Sequence, residues 1–325
     1  MVPRWPTMEA RRARTLAWVT AAALAVGMLT GCNLVHRQRD RIRKRLTEHG
    51  MREQVVQLGA DRVSYWDSGG TGQVVLLVHG FGMPSLWQWH EQVPALLPAR
   101  RVVMPDLLWF GASSSKTRDF SLDHQVAAVV ALLDHLKIHQ VDAVGLSYGG
   151  FVAYALTAAQ PARVRSVTLV DSAGPAFQPA DNDALRARLG VKDLADVLIP
   201  QTPAAVDRLM ELAYADPRYV PDFVARQVIA DSYTRNRSEL RGLLAYLDQH
   251  GGRLSAEAPR IRTPLCLIWG SGDTIMPVAL MDRLQGFAQG PSKRHVIENA
   301  RHAPNAEHPE VFNRALNDCL GGSWH

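Results

Sequence analysis

The chain is predicted to be an α/β protein: a mostly parallel sheet covered by helices on both faces, with a helical cap inserted. Three observations carry that expectation. From residue 74 onward, short apolar runs that read as strands alternate with segments of helical period. The alternation breaks between Asp171 and Arg262, where only helical segments appear, and it then resumes for two further strands. Such alternation is the signature of parallel pairing, because each parallel crossover needs about a dozen residues or more of connecting chain.

In chain order, residues 74–78 (VVLLV) form a buried strand that runs into a small-residue loop, His79-Gly80-Phe81-Gly82. Residues 101–105 (RVVMP) form the next strand. Val141–Leu146 alternates and ends apolar, and residues 148–160 (YGGFVAYALTAAQ) carry apolar positions at helical spacing. Residues 164–171 (VRSVTLVD), 264–270 (PLCLIWG) and 293–297 (KRHVI) complete the strands. Residues 175–259 read as several helices punctuated by Pro200, Pro203, Pro217 and Pro221. This is a lid, whose apolar residues, among them Leu209, Tyr214, Tyr219, Phe223, Tyr233, Leu243 and Leu244, are expected mainly in its own core, with some facing the site below. The expected division is a leader over 1–31, a basic tether over 32–54, a core over 55–174 and 260–325, and the cap over 175–259.

Ser147 stands between Gly145 and Gly149 at a strand-to-helix turn. Such a turn strains the serine backbone, and a side chain at either flanking position would crowd it, so glycine is wanted at both. A solitary G-x-S-x-G is more often a plain turn, and its partners decide the matter. A serine hydroxyl needs a histidine to take its proton and a carboxylate to orient that histidine. Asp273 follows the strand 264–270, and His302 follows the strand 293–297. The assignment is Ser147 as nucleophile, His302 as general base and then acid, and Asp273 as orienter. Asp171, at the end of another strand, is the alternative acid. His124, His135, His139 and His250 read as solvated or locally bonded. The oxyanion donors expected are the backbone N–H groups of Phe81, in the glycine loop, and Tyr148, the residue after the nucleophile.

Five landmarks in this order resemble the α/β-hydrolase superfamily, close to its lipase, esterase and meta-cleavage-hydrolase-like members. They are His79-Gly80-Phe81-Gly82, Pro105 to Ser113, Gly145 to Gly150, Trp269 to Asp273, and Asn299-Ala300-Arg301-His302, and the resemblance spans roughly residues 55–320. Leu108-Trp109 stands where many relatives have Pro-Gly, and Trp109 either narrows the pocket entrance or packs in the core or surface. Serine at the elbow, rather than aspartate, implies an acyl-enzyme route with no metal or organic cofactor. Carboxylic ester hydrolysis is the expected reaction, with acyl transfer or carbon–carbon cleavage as alternatives. A non-catalytic envelope lipoprotein on the same scaffold is the alternative from another class.

At the N-terminus, Arg11, Arg12 and Arg14 precede an apolar run of about 15 residues (15–29), short for a membrane span and right for a signal-peptide core. Leu29-Thr30-Gly31-Cys32 resembles the bacterial lipobox, which implies lipidation at Cys32 and a membrane-anchored envelope protein on the exported side. Residues 36–45 hold six Arg or Lys against one acid, read as a tether lying along an anionic membrane. Residues 1–31 hold four arginines and one glutamate, a net of +3, so the whole-chain charge of +5 leaves +2 beyond them. No aromatic platform or groove motif accompanies the basic run, so nucleic acid is not an expected partner. Cys266 and Cys319 alone are too few to indicate a disulfide framework. No metal-ligand spacing, phosphate loop or repeat stands out.

Overall fold

A computed structural model describes residues 33–322; the apolar run 15–29 and Cys32 lie outside the described residues. Its strands make one sheet: β1 (Arg52–Leu58), β2 (Asp61–Asp67), β3 (Gln73–Val78), β4 (Arg100–Pro105), β5 (Ser114–Ser115), β6 (Val141–Leu146), β7 (Val164–Val170), β8 (Leu265–Gly270) and β9 (Ser292–Ile297). β4, β3, β6, β7, β8 and β9 lie side by side in that order, each neighbouring pair parallel. β1 and β2 extend the sheet beyond β4 as an antiparallel hairpin, and β5 pairs with β2. The α/β class and the parallel core are therefore as the sequence predicts. The hairpin was not foreseen; β1 is mostly exposed and lacks the apolar run that marks the inner strands.

The helices are α1 (Leu34–Glu48), α2 (Ser85–Trp89), α3 (Leu122–His135), α4 (Tyr148–Ala159), α5 (Pro179–Leu189), α6 (Ala195–Leu198), α7 (Pro203–Ala213), α8 (Asp222–Val228), α9 (Arg237–Glu257), α10 (Leu280–Gln285) and α11 (Pro309–Leu320), with a few one-turn segments between. Successive residues of β3 serve opposite faces: Leu76 and Val78 pack with α3 and α4, Val75 and Leu77 with Trp89 of α2 and Phe312 of α11. Both faces are covered, which is why β6 and β8 are buried at every position and show no polar alternation. Between Asp171 and Arg262 the chain forms α5 to α9 and no strand.

One expectation needs correction, and two points the sequence left open are decided. Residues 33–54 are folded onto the domain rather than a basic tether, because α1 and the start of β1 occupy them. Asn33 caps α1 by accepting the His36 N–H at 2.9 Å, and Val35, Ile42 and Leu46, spaced at seven and four residues, form one buried face. Arg39 and Arg45 are held by Asp231 and Glu91 at 2.8 and 2.7 Å, and Arg43 by Glu53. The charge run hid an amphipathic helix. Cys266 and Cys319, both fully buried, form a disulfide that ties β8 to α11 across 53 residues. In a chain-entropy account, a loop of that length contributes roughly 4 kcal/mol. Finally, Trp109 is 4% exposed and packs on Phe120 and His124 in the core, away from the cavity described below.

Candidate active site

Ser147 closes the turn from β6 to α4 with φ +50° and ψ −117°, a left-handed backbone that side chains rarely adopt. Its N–H donates to the Val170 carbonyl at 2.8 Å, which holds the turn against β7. A Cβ at residue 145 would overlap the Gly149 carbonyl, and one at 149 would overlap the carbonyls of Val78 and His79, so both glycines are steric requirements.

His302 reaches this serine from the loop after β9. Its Nδ1–H donates to Asp273 Oδ2 at 2.7 Å, which leaves Nε2 free to accept the Ser147 Oγ–H at 2.8 Å. The side chain of Asp273 is fully buried, and its Oδ1 accepts the N–H groups of Ile275 and Met276 at 2.7 and 3.0 Å. Those two donors were not foreseen from the sequence. They fix the carboxylate so that one oxygen is left for the histidine.

Asp171 is brought close to the same group but not into the row. It sits at φ +43° beyond the end of β7, fully buried, with Oδ1 accepting the Gly270 N–H at 2.9 Å and Oδ2 unbonded. Burial, reinforced by the charge of Asp273, pushes its carboxyl well above the usual range. A carboxyl without a bond to His302 is poorly placed to orient it, whereas Asp273 is bonded.

The loop after β3 passes against the nucleophile: a Cβ on Gly80 would lie 3.2 Å from that of Ser147. Gln88 of α2 clamps the loop, accepting the Gly80 N–H at 2.8 Å and donating to the Gly80 and Met83 carbonyls at 3.0 and 2.6 Å. Tyr148 opens α4, so its N–H has no acceptor within the helix. These two backbone segments flank Ser147, as a pair of oxyanion donors must.

Above the row lies a cavity of about 1010 Å³, lined by Ser147, His302, Phe81 and Tyr148 below and by cap residues including Leu209, Tyr214, Tyr233 and Leu244. Leu240 and Leu243 instead pack in the core, and Tyr219 and Phe223 are exposed. Leu34, Val35, Arg37, Gln38 and Arg41 of α1 also line the cavity, a role hidden from the sequence until the helix is seen docked.

A profile described as the alpha/beta hydrolase fold matches residues 73–309. The chain belongs to the α/β-hydrolase family. Among the curated relatives of this α/β-hydrolase, the 2-hydroxy-6-oxo-2,4-heptadienoate hydrolase of Pseudomonas putida is 29% identical over 260 residues, covering 77% of this chain and 90% of the relative. The pimeloyl-[acyl-carrier protein] methyl ester esterase of Aeromonas hydrophila subsp. hydrophila is 29% identical over 259 residues, covering 78% and 97%. A solved membrane phospholipase A, described as a bacterial virulence factor, superimposes with a TM-score of 0.76 at 24% identity, covering 96% of this chain and 98% of that one; at that identity the likeness shows the fold alone.

Within this α/β-hydrolase the loop after β3 also carries a titration signature. His79 is fully buried, donates through Nδ1 to the Gly80 carbonyl and accepts the Leu107 N–H at Nε2, so it is held neutral. Burial lowers its pKa from 6.5 to about 4, so its contribution to stability is complete above pH 6.5 and is lost as the pH falls through about 4. Asp106, whose Oδ1 accepts from the Ser85 N–H and Oγ–H, has the opposite sign. Burial raises it from 3.8 to about 6, so its contribution is complete below pH 3.8 and is lost as the pH rises through about 6. An Asp106→Asn variant removes the opposing group. Its melting temperature is expected to fall more steeply than that of the parent between pH 6.5 and 4, and parallel curves in thermal denaturation would contradict this account.

Proposed function

We propose that this chain is a serine hydrolase that cleaves carboxylic esters bearing an apolar acyl or alkyl group, through an acyl-enzyme on Ser147. The observation that carries the reading is the bonded row from Ser147 Oγ to His302 Nε2 at 2.8 Å and from His302 Nδ1 to Asp273 at 2.7 Å, opening onto an apolar-walled cavity. At roughly 30 Å³ per water-sized group, that cavity has space for on the order of thirty non-hydrogen atoms, enough for a long acyl chain.

In the proposed sequence His302 Nε2 takes the Ser147 hydroxyl proton as Oγ attacks the ester carbonyl. The N–H groups of Phe81 and Tyr148 receive the developing oxyanion, each worth about 3 kcal/mol in the transition state. Collapse expels the alcohol, which takes the proton from His302, and a water deprotonated by the same histidine hydrolyses the acyl-enzyme. The methyl ester esterase among the relatives supports an ester as the bond cleaved. The reading is tested by ester turnover and fluorophosphonate labelling in the parent and in Ser147→Ala.

The same reading places the chain at the exported face of a bacterial membrane, held by lipid on Cys32. The basic start, the apolar run and the small residues before Cys32 support it. The Cys266–Cys319 disulfide also supports it, since disulfides persist in oxidising compartments. A Cys32→Ser form is expected to incorporate no lipid when expressed in a bacterial host, and undiminished incorporation would remove the assignment.

A further inference from the structure

Helix α1 carries arginines at 37, 39, 41, 43 and 45, and they divide into two sets. Arg39, Arg43 and Arg45 are each matched to a carboxylate, Asp231, Glu53 and Glu91 respectively. Arg37 and Arg41 have no carboxylate partner among the described residues. One helical turn apart, they share a face, with their Cβ atoms about 6 Å from each other. Both are exposed, and both line the cavity that contains Ser147, so they stand on its rim.

The rest of the cavity's charge is largely cancelled. Arg186 is paired with Asp248 and Arg241 with Asp193, both at about 2.7–2.8 Å, which leaves Lys192 as a single cation on another part of the wall. Asp40, between the two arginines in sequence, is the nearest acid on α1 and binds neither of them; His36 is engaged with Asp231. The platform is firm. Val35, Ile42 and Leu46 are buried, and Gln227 Oε1 accepts the N–H groups of Leu34 and Val35.

We propose that Arg37 and Arg41 form a subsite for a phosphate-class anion on the alcohol side of the ester, with the acyl chain in the apolar chamber. The proposal rests on the ester-hydrolase reading and names its substrate class: an amphiphilic carboxylic ester that carries a phosphate group. Two guanidinium groups offer ten N–H donors in planar forks, which suits the several oxygens and the charge of a phosphate better than a neutral headgroup. Arginines facing outward only to meet a membrane surface would act on the lipid phase instead, and the experiment separates the two.

The full chain is assayed with dihexanoyl-glycerophosphate and with dihexanoylglycerol, both below their aggregation concentrations so that no surface is present. The parent is expected to have the higher kcat/KM for the phosphorylated ester. In Arg37→Ala/Arg41→Ala the ratio of the two kcat/KM values should fall by about tenfold or more, as loss of charge-assisted bonds implies. Inorganic phosphate should inhibit the parent competitively and the double variant far less. Arg37→Lys/Arg41→Lys, which keeps the charge, should recover part of the ratio. An unchanged ratio with both esters turned over overturns the subsite and leaves the ester reading intact. So does an effect of the double variant confined to anionic vesicles. Failure of the parent to hydrolyse either ester removes the ester reading itself, and the subsite with it.

Discussion

Ser147→Ala is expected to abolish turnover of a short nitrophenyl ester, with kcat reduced by roughly 10⁵–10⁶. The loss is large because nucleophile and base act as one unit: without Oγ, the 2.8 Å bond to His302 Nε2 has no proton to transfer. Labelling by a fluorophosphonate should vanish in the same variant, since only an activated serine reacts. The fold should survive, because the turn is held by the Ser147 backbone N–H on Val170 and by Gly145 and Gly149, none of which the change touches. A variant that melts like the parent yet keeps full activity would sink the acyl-enzyme mechanism. A parent that neither reacts with the probe nor turns over esters would favour the non-catalytic scaffold.

Asp273→Asn should lower kcat by about 10⁴ with little change in KM. An amide at this position offers its NH₂ or its oxygen to His302. With Oδ1 already committed to Ile275 and Met276, the side facing the ring becomes a donor and favours the wrong tautomer. Asp171→Asn is expected to cost far less. Its carboxyl makes no bond to His302, burial beside Asp273 already disfavours its charged form, and its one bonded oxygen, on the Gly270 N–H, is reproduced by the amide. Steady-state kinetics on the two variants decide between the carboxylates. If Asp171→Asn is the costlier change, the acid role moves to it.

That pair shows where sequence reading reaches its limit. Both aspartates follow strands, and β7 and β8 are adjacent in the sheet, so either could approach a histidine beyond β9. Chain order favoured Asp273, but the choice turns on which carboxylate has an oxygen free toward the ring. The serine, its glycines and the small-residue loop were legible for a different reason: each is a local steric demand written within a few residues. α1 was illegible because six basic residues in ten outweigh the three apolar positions that bury it, and those positions matter only once α2 and α8 pack against the helix.

By itself the sequence determined the parallel strands, the helical insertion and the candidates Ser147 and His302, with Asp273 favoured over Asp171 for the acid. These are set by periodicity and short spacing, which the chain carries locally. Only the tertiary structure decided that Asp171 is buried without a bond to the histidine, that Cys266 pairs with Cys319, and that Arg37 and Arg41 stand on the rim of the serine's cavity. Each of those depends on which segments, distant in sequence, exclude water between them. That is a property of the packed whole and of no single stretch.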